Sequence, residues 1–420
     1  MKVLLLAPHP FFQERGTPIA TRLLAQTLSE QGHRVDLLTY HEGEDVSLPG
    51  VRVFRIPAPP GLGPVGIGLS VRKLVCDAFL AVSLAVRLWR ERYDVIHAVE
   101  ESVYLAAAAR VALGIPYVYD MDSSLADQIL ESRPRARPLG PFLHYMERRA
   151  VRGAAGVTVV CDALARKVRR ADPEAPLHVI EDIAIGNPSA RTPPLRKELG
   201  IDGPMLLYVG NLESYQGIDL MLDAFAAVVA GRRRVHLVVV GGQDDHIEAY
   251  RARTRELGLE GRVHWAGPRP AAQLPGLLAQ ADVLLSPRIT GVNTPMKVYS
   301  YLASGVPTVA TRILSHTQVL HDGVAALADP TPQDYARAID GILADPAGAK
   351  ELGDRALDLA NREFNRDAYR RKVAAFYADL AERRPAARAE RDGSGRDDSA
   401  PASPIPDADT GRRLVGSIHA

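Results

Sequence analysis

Residues 293–307 read NTPMKVYSYLASGVP. Thr294 is suited to cap a helix, Pro295 to open it, and Gly305 with Pro307 to close it. The N–H groups of Met296, Lys297 and Val298 are then expected to point outward just past a strand at 282–287. Such a helix start attracts phosphate, and Lys297 adds a charge to it. A capped helix with a solvated lysine reads the same way, so the inference needs other segments. Loop 10–18 (PFFQERGTP) carries Gly16, and loop 210–217 (GNLESYQG) carries Gly210, Asn211 and Gln216. Gly241 and Gly242 end a further strand. Turns use glycine on their own account, yet four such loops at the carboxyl ends of strands can face one cleft. Asn293 and Ser300 offer hydrogen bonds there, and Arg15, Arg269 and Arg288 offer charge. The chemistry indicated is the holding of a phosphate-bearing ligand.

A second group lies earlier. Asp120-Met121-Asp122 follows a strand-like run, and paired hard oxygens of this kind suit a divalent cation. One of the two aspartates capping a helix over 123–131 is the competing reading, and a second α/β repeat in the chain argues against the metal. His97 ends a strand at 94–98 and precedes Glu100 and Glu101; it is either structural or a cleft residue. Asp244-Asp245 reads as a helix N-terminus.

Alternating elements must position these residues. Apolar runs of strand length occur at 3–7, 35–39, 51–56, 94–98, 117–120 and 157–160, separated by helix-length segments. A Gly- and Pro-rich stretch at 186–204 interrupts the pattern. It restarts with strands at 205–210, 235–242, 263–267, 282–287 and 307–311. The expected fold class is α/β: two Rossmann-like, doubly wound domains over 1–185 and 205–363, facing a cleft. A last helix, 364–382, has Tyr369, Val373, Phe376, Tyr377 and Leu380 at helical spacing. Residues 383–420 hold few large apolar side chains and are expected to be a disordered tail.

The 420 residues are 46% hydrophobic and 24% charged, which suffices for two cores. A formal net charge of +1 gives no general attraction for nucleic acid. Two cysteines, Cys76 and Cys161, exclude a disulfide framework, and a reduced, cytoplasmic setting is expected. The opening apolar run is cut by Pro8 and reads as a strand. Segment 71–92 reads as a buried helix with basic ends. Segment 133–152 carries six arginines; it is either a solvated loop or a surface for anionic lipid at the inner face of a membrane.

With the elements placed, the chain resembles the retaining nucleotide-sugar glycosyltransferases of family 4 (group 1), which have the two-domain fold called GT-B. The resemblance runs over residues 1–382 and is carried by 205–220, with YVGNLESYQGIDLML at 208–222, and by 282–311. It implies a nucleotide-sugar donor held mainly by the second domain, through Gly210, Asn211, Gln216, Gly242, Arg269, Arg288, Asn293, Thr294, Lys297 and Ser300, with Gly16 reaching from the first. It implies a glycan, lipid or small-molecule acceptor on the first domain, near Glu14, Arg15, Thr17 and His97. It implies no requirement for a metal or other cofactor. Lys297 would stabilise the leaving diphosphate, and Asp122 would accept a hydrogen bond from a sugar or acceptor hydroxyl. The sequence departs from the family pattern at several positions. Asn211 and Gln216 stand where Arg and Lys are usual, Val292 and Ser300 where a pair of Glu is usual, and Asp122 where His is usual. The polar replacements still form hydrogen bonds, which favours a rearranged site. A non-catalytic binding scaffold and a sugar-nucleotide epimerase are the alternatives.

Overall fold

A computed structural model describes residues 1–383 except Arg15, Pro64, 67–69, 187–188 and Arg233. Seven parallel strands make the first sheet: β1 (Lys2–Ala7), β2 (Arg34–Thr39), β3 (Val51–Arg55), β4 (Val95–Val99), β5 (Tyr117–Met121), β6 (Gly156–Val159) and β7 (Leu177–Val179), in the order β3-β2-β1-β4-β5-β6-β7. Six more make the second: β8 (Met205–Val209), β9 (His236–Val240), β10 (Val263–Gly267), β11 (Val283–Ser286), β12 (Thr308–Thr311) and β13 (Ala326–Ala328), in the order β10-β9-β8-β11-β12-β13. The central strands are buried along their length except at Lys2, which opens β1, and this is why they read as continuous apolar runs. In each sheet the order reverses beside the first strand, and the chain crossings there leave a crevice at the carboxyl ends.

The first domain carries α1 (Gly16–Glu30), α2 (Val71–Arg90), α3 (Val103–Leu113), α4 (Leu125–Ser132), α5 (Gly140–Gly153) and α6 (Asp162–Ala171). Helix α7 (Leu195–Glu198) lies in the Gly- and Pro-rich stretch at 186–204, where Leu195 is fully buried in the second domain's core. The second domain carries α8 (Ile218–Gly231), α9 (Asp244–Glu256), α10 (Leu274–Leu278), α11 (Met296–Ser304), α12 (Leu314–Thr317), α13 (Pro332–Ala344) and α14 (Pro346–Glu363).

The last helix, α15 (Arg366–Glu382), packs on the first domain. Tyr369, Val373, Phe376, Tyr377 and Leu380 join Leu24 and Leu28 of α1 in one core against the first sheet. The fit is close: a Cβ on Gly156 would come 2.8 Å from the Phe376 ring. Polar contacts rim it, with Arg366 on Glu30 at 2.6 Å and His178 on Asp379 at 2.8 Å.

Several local expectations change. Strands β7 and β13 have three residues each and only part of their surface buried, so their hydrophobic signal is weak. Helix α4 is capped by the Ser124 hydroxyl, which accepts from the Asp127 N–H, and by neither Asp120 nor Asp122. The arginine-rich segment is mostly helical, in a 3-10 turn (Pro134–Leu139) followed by α5. Among the described residues no helix is long and apolar enough to cross a membrane. The tail expected over 383–420 lies, from 384 onward, outside the described residues.

Candidate functional site

At the carboxyl edge of the second sheet three loops meet around Lys297. The loop after β8 starts at Gly210, whose φ is +153°. A Cβ there would sit 3.2 Å from Lys297 Nζ, so glycine keeps the space beside the ammonium open. Lys297 Nζ donates to Gln216 Oε1 at 3.1 Å and lies 4.0 Å from the centre of the Tyr208 ring. Burial, and then the nearby Arg288 guanidinium, push the Lys297 pKa well below that of an ordinary lysine. The next loop carries Gly241 and Gly242, both at positive φ. The Gly241 Cα packs directly on the Gly210 carbonyl, leaving no room for a side chain. Two cations held together with no carboxylate contributing to the shift make a place that favours an anion.

The start of α11 differs from the expected form. Pro295, with φ −65° and ψ 131°, is the capping position, and the helix begins at Met296 with no side-chain cap. The extended ψ keeps Pro295 out of the helix. The buried Thr294 side chain makes no capping bond. Val298 N–H is already bonded to the Pro295 carbonyl at 2.9 Å, so it is not among the outward donors.

Three residues expected at the donor site, Arg288, Asn293 and Ser300, have partners within the protein. Arg288 is buried and folds back on its own loop: Nε donates to the Thr290 carbonyl at 2.7 Å, and the guanidinium reaches the Asn293 carbonyl and Oδ1 at 3.3 and 3.2 Å. Arg288 and Asn293 thus shape the loop between β11 and α11. Ser300 is 4% exposed, and its hydroxyl accepts the Ile185 N–H at 3.1 Å. It ties α11 to the segment that joins the domains. Its short side chain at a packed crossing is the reason a carboxylate-like reach is lost. Asn211 is exposed, with its amide on Tyr215 Oη at 3.2 Å. Arg269 is exposed on the loop after β10.

Across the cleft, Gly16 and Thr17 open α1, and the Thr17 side chain hydrogen-bonds to Asp122. Glu14 Oε2 accepts the Ala271 N–H of the second domain at 2.8 Å. Arg15 lies outside the described residues. His97 does not line the open cleft. It is 1% exposed, because it stands inside β4 and points toward α15, where its Nδ1 meets Tyr377 Oη at 2.9 Å. Its Nε2 lies 3.2 Å from Asp120 Oδ2, and Thr158 Oγ1 donates to Asp120 Oδ1 at 2.7 Å.

These groups border a cavity of about 30 Å³ whose lining includes Asp120, Asp122, Asp182 and His97. Burial, then Asp120 and Glu100, raise the Asp122 pKa well above the carboxylate range. Burial, then Asp120, push Asp182 up to about 7. Glu100 is raised by burial and then by Glu101. Asp182 has little signal in the sequence, because the strand that delivers it is short and only partly buried. The same holds for Tyr208, which looks like an ordinary strand aromatic, and for Gln318, whose Oε1 accepts the Ala163 N–H at 2.7 Å while its Nε2 donates to the Val292 carbonyl at 2.8 Å. No three acidic, His or Cys side chains among the described residues are placed to share a metal ion.

Known proteins match this architecture. The glycosyl transferases group 1 family model matches residues 203–345, and the glycosyl transferase 4-like domain matches residues 15–181. A D-inositol 3-phosphate glycosyltransferase of Acidothermus cellulolyticus is 30% identical over 413 residues, covering 89% of this chain and 87% of that protein. One from Corynebacterium aurimucosum is 28% identical over 193 residues, 44% of this chain, and the match spans 45% of that relative's length. Anabaena HepE, solved in complex with UDP, superposes with a TM-score of 0.70 at 20% identity, over 90% of this chain and 100% of that one, a likeness of fold. Two parallel α/β domains, matches to both halves and a relative matched over 87% of its own length place the chain among the group 1 glycosyltransferases of the GT-B fold, as a transferase of glycosyl groups.

Proposed function

We propose that the chain transfers a glycosyl group from a nucleoside-diphosphate sugar to a hydroxyl of a glycan or lipid acceptor, with retention and without a divalent metal. Lys297 carries the reading: a desolvated ammonium at the carboxyl edge of the second sheet, set between Tyr208, Gln216 and the bare backbone of Gly210. The solved complex of Anabaena HepE makes UDP the first nucleotide to test. In the reaction the acceptor oxygen bonds to the anomeric carbon on the face from which the diphosphate departs. The bond from that carbon to the phosphate oxygen breaks, and the acceptor proton passes to the leaving phosphate. Lys297 and the N–H groups of Met296 and Lys297 stabilise the charge that forms there. Asp122 accepts a hydrogen bond from a substrate hydroxyl. Lys297→Ala is expected to weaken UDP binding or turnover by about tenfold or more, the effect of one charged hydrogen bond. Unchanged binding and turnover together would remove the proposal's basis. NMR of the product's anomeric proton reads the stereochemistry, and loss of turnover in EDTA that Mn²⁺ restores would overturn the metal-free mechanism.

The acceptor is presented at an anionic membrane in this reading. Helices α2, α3 and α5 bury their inner faces in one core, while Val82, Trp89, Val111 and Phe142 stand exposed on their outer sides, Trp89 at 86%. Arg90, Arg92, Arg148 and Arg149 are exposed on the same helices or beside them. Apolar side chains with arginines suit an interface with acidic lipid. Trp89 fluorescence is expected to shift to the blue with phosphatidylglycerol vesicles and not with phosphatidylcholine vesicles. No shift with either overturns membrane contact.

A further inference from the structure

The loop that leads to Lys297 is held mainly by polar contacts. Ile289 and Val292 in it are exposed, at 41% and 40%, so apolar burial does little to fix it. Arg288 donates to the Thr290 and Asn293 carbonyls from within the loop. The Ile289 N–H donates to the Tyr215 carbonyl at 3.0 Å. The Val292 carbonyl is held from outside the loop, where it accepts from Gln318 Nε2 at 2.8 Å. Gln318 follows α12, which is anchored on the ends of two strands. His316 is fully buried there, with Nδ1 2.8 Å from the Thr311 carbonyl and Nε2 2.9 Å from Ser286 Oγ.

The oxygen of the same amide reaches the first domain. Gln318 Oε1 accepts the Ala163 N–H, in the first turn of α6, at 2.7 Å. Cys161, whose thiol is a weak acceptor, holds the capping position of that helix. The first N–H groups of a helix have no partner within it, and Gln318 supplies one from the second domain. Cys161 is 2% exposed, and its Sγ lies 3.9 Å from the Val292 carbonyl. One side-chain amide thus joins α6 of the first domain to the loop before Lys297 in the second.

We propose that Gln318 is a positioning residue for the transfer reaction: it fixes the Val292 carbonyl, and with it the approach to Lys297, firmly only while α6 is seated against its oxygen. Donor binding and contact between the two domains are coupled through this amide. An acceptor carried on the first domain then meets a firmly held donor only when α6 is in place. The inference rests on the reading above that Lys297 holds the diphosphate. A donor that favours the ordered loop must also favour the seating of α6, by the same factor, because coupling between two sites is reciprocal.

The test is the rate at which N-ethylmaleimide labels Cys161 in the full chain, with and without saturating UDP, read by peptide mass spectrometry beside the Kd for UDP. Cys76, fully buried in the first domain's core, is the control for global unfolding. In wild type, UDP is expected to slow Cys161 labelling about fivefold. Gln318→Met keeps the size of the side chain and removes both hydrogen bonds. Without UDP it should label Cys161 about fivefold faster than wild type, the effect of a neutral hydrogen bond. It should bind UDP about fivefold more weakly, and UDP should no longer slow its labelling. A purely structural contact would speed labelling but leave the slowing by UDP as in wild type, and that result overturns the coupling. Wild-type labelling or a wild-type Kd in the variant overturns it too, as does labelling of Cys76 at the same rate as Cys161. If UDP binds wild type without slowing Cys161, the coupling falls and the reading of Lys297 stands. If wild type does not bind UDP, both fall.

Discussion

Ser300 shows what a single side chain is for. In the linear sequence it stands where a nucleotide-contacting carboxylate is usual, and its hydroxyl suggests a weaker version of the same contact. In the fold that hydroxyl accepts the Ile185 N–H. Ser300→Ala is therefore expected to cost about 1 kcal/mol of stability, a neutral hydrogen bond. That lowers the melting temperature by about 2 °C while the Kd for UDP stays within about twofold. A tenfold loss of UDP affinity with unchanged melting would return Ser300 to the nucleotide. Asp182 provides a second prediction at this scale. Its folded pKa is raised to about 7, above the unfolded carboxylate value. The folded state thus holds a proton that the unfolded state releases. The stability this confers is complete below pH 4 and is lost as pH rises through 7. Wild type should lose melting temperature between pH 5 and pH 8, and Asp182→Asn should flatten that slope by gaining stability at pH 8. An identical slope in the variant would show that Asp182 does not hold the proton.

At the scale of elements, the donor edge depends on close backbone approach. Gly217 opens α8 with φ at 71°, and a Cβ there would overlap the Pro287 carbonyl. Gln216 precedes it, and the loop braced by Arg288 follows Pro287. Gly217→Ala must push the two loops apart, since the obstacle is backbone and the φ is unfavourable for a side chain. A loss of about 2 kcal/mol or more is expected, together with weaker UDP binding as Gln216 and Lys297 separate. Normal melting and normal UDP affinity would mean the loops move without cost. The glycine was legible as a turn residue; its role as the contact point between two loops was not, because Pro287 is 70 residues away in sequence.

For the molecule as a whole, α15 ties the end of the second domain to the first. Phe376 and Tyr377 enter the first domain's core, and Tyr377 bonds to His97 over a sequence separation of 280 residues. Phe376→Ala is expected to cost about 3–5 kcal/mol, the range for a large buried ring. Because the same helix walls the acidic cavity, turnover should fall even where the protein remains folded. A variant with wild-type melting would show that α15 is only loosely seated. The composition of residues 384–420 leads to a different expectation. A chain ending at Arg383 should keep its melting temperature and turnover, and loss of activity by a folded, truncated protein would assign the tail a function.

The alternation of apolar runs, the restart near residue 205 and the helix at 364–382 were legible in the sequence because strand and helix periods are local properties. So was the approach of Lys297 to the loop at 210–217, since both lie just past strands of one parallel sheet. The sequence did not determine which polar groups would be left for a ligand. Arg288, Asn293 and Ser300 have the right chemistry for a nucleotide, and tertiary packing gives each of them a partner inside the protein as well. Asp182 follows a three-residue strand with almost no sequence signal, yet the register of β7 on β6 brings it to Asp120. Hydrogen-bond capacity belongs to the residue type. Whether that capacity is spent inside the fold or offered to a substrate depends on neighbours that only the folded chain brings together.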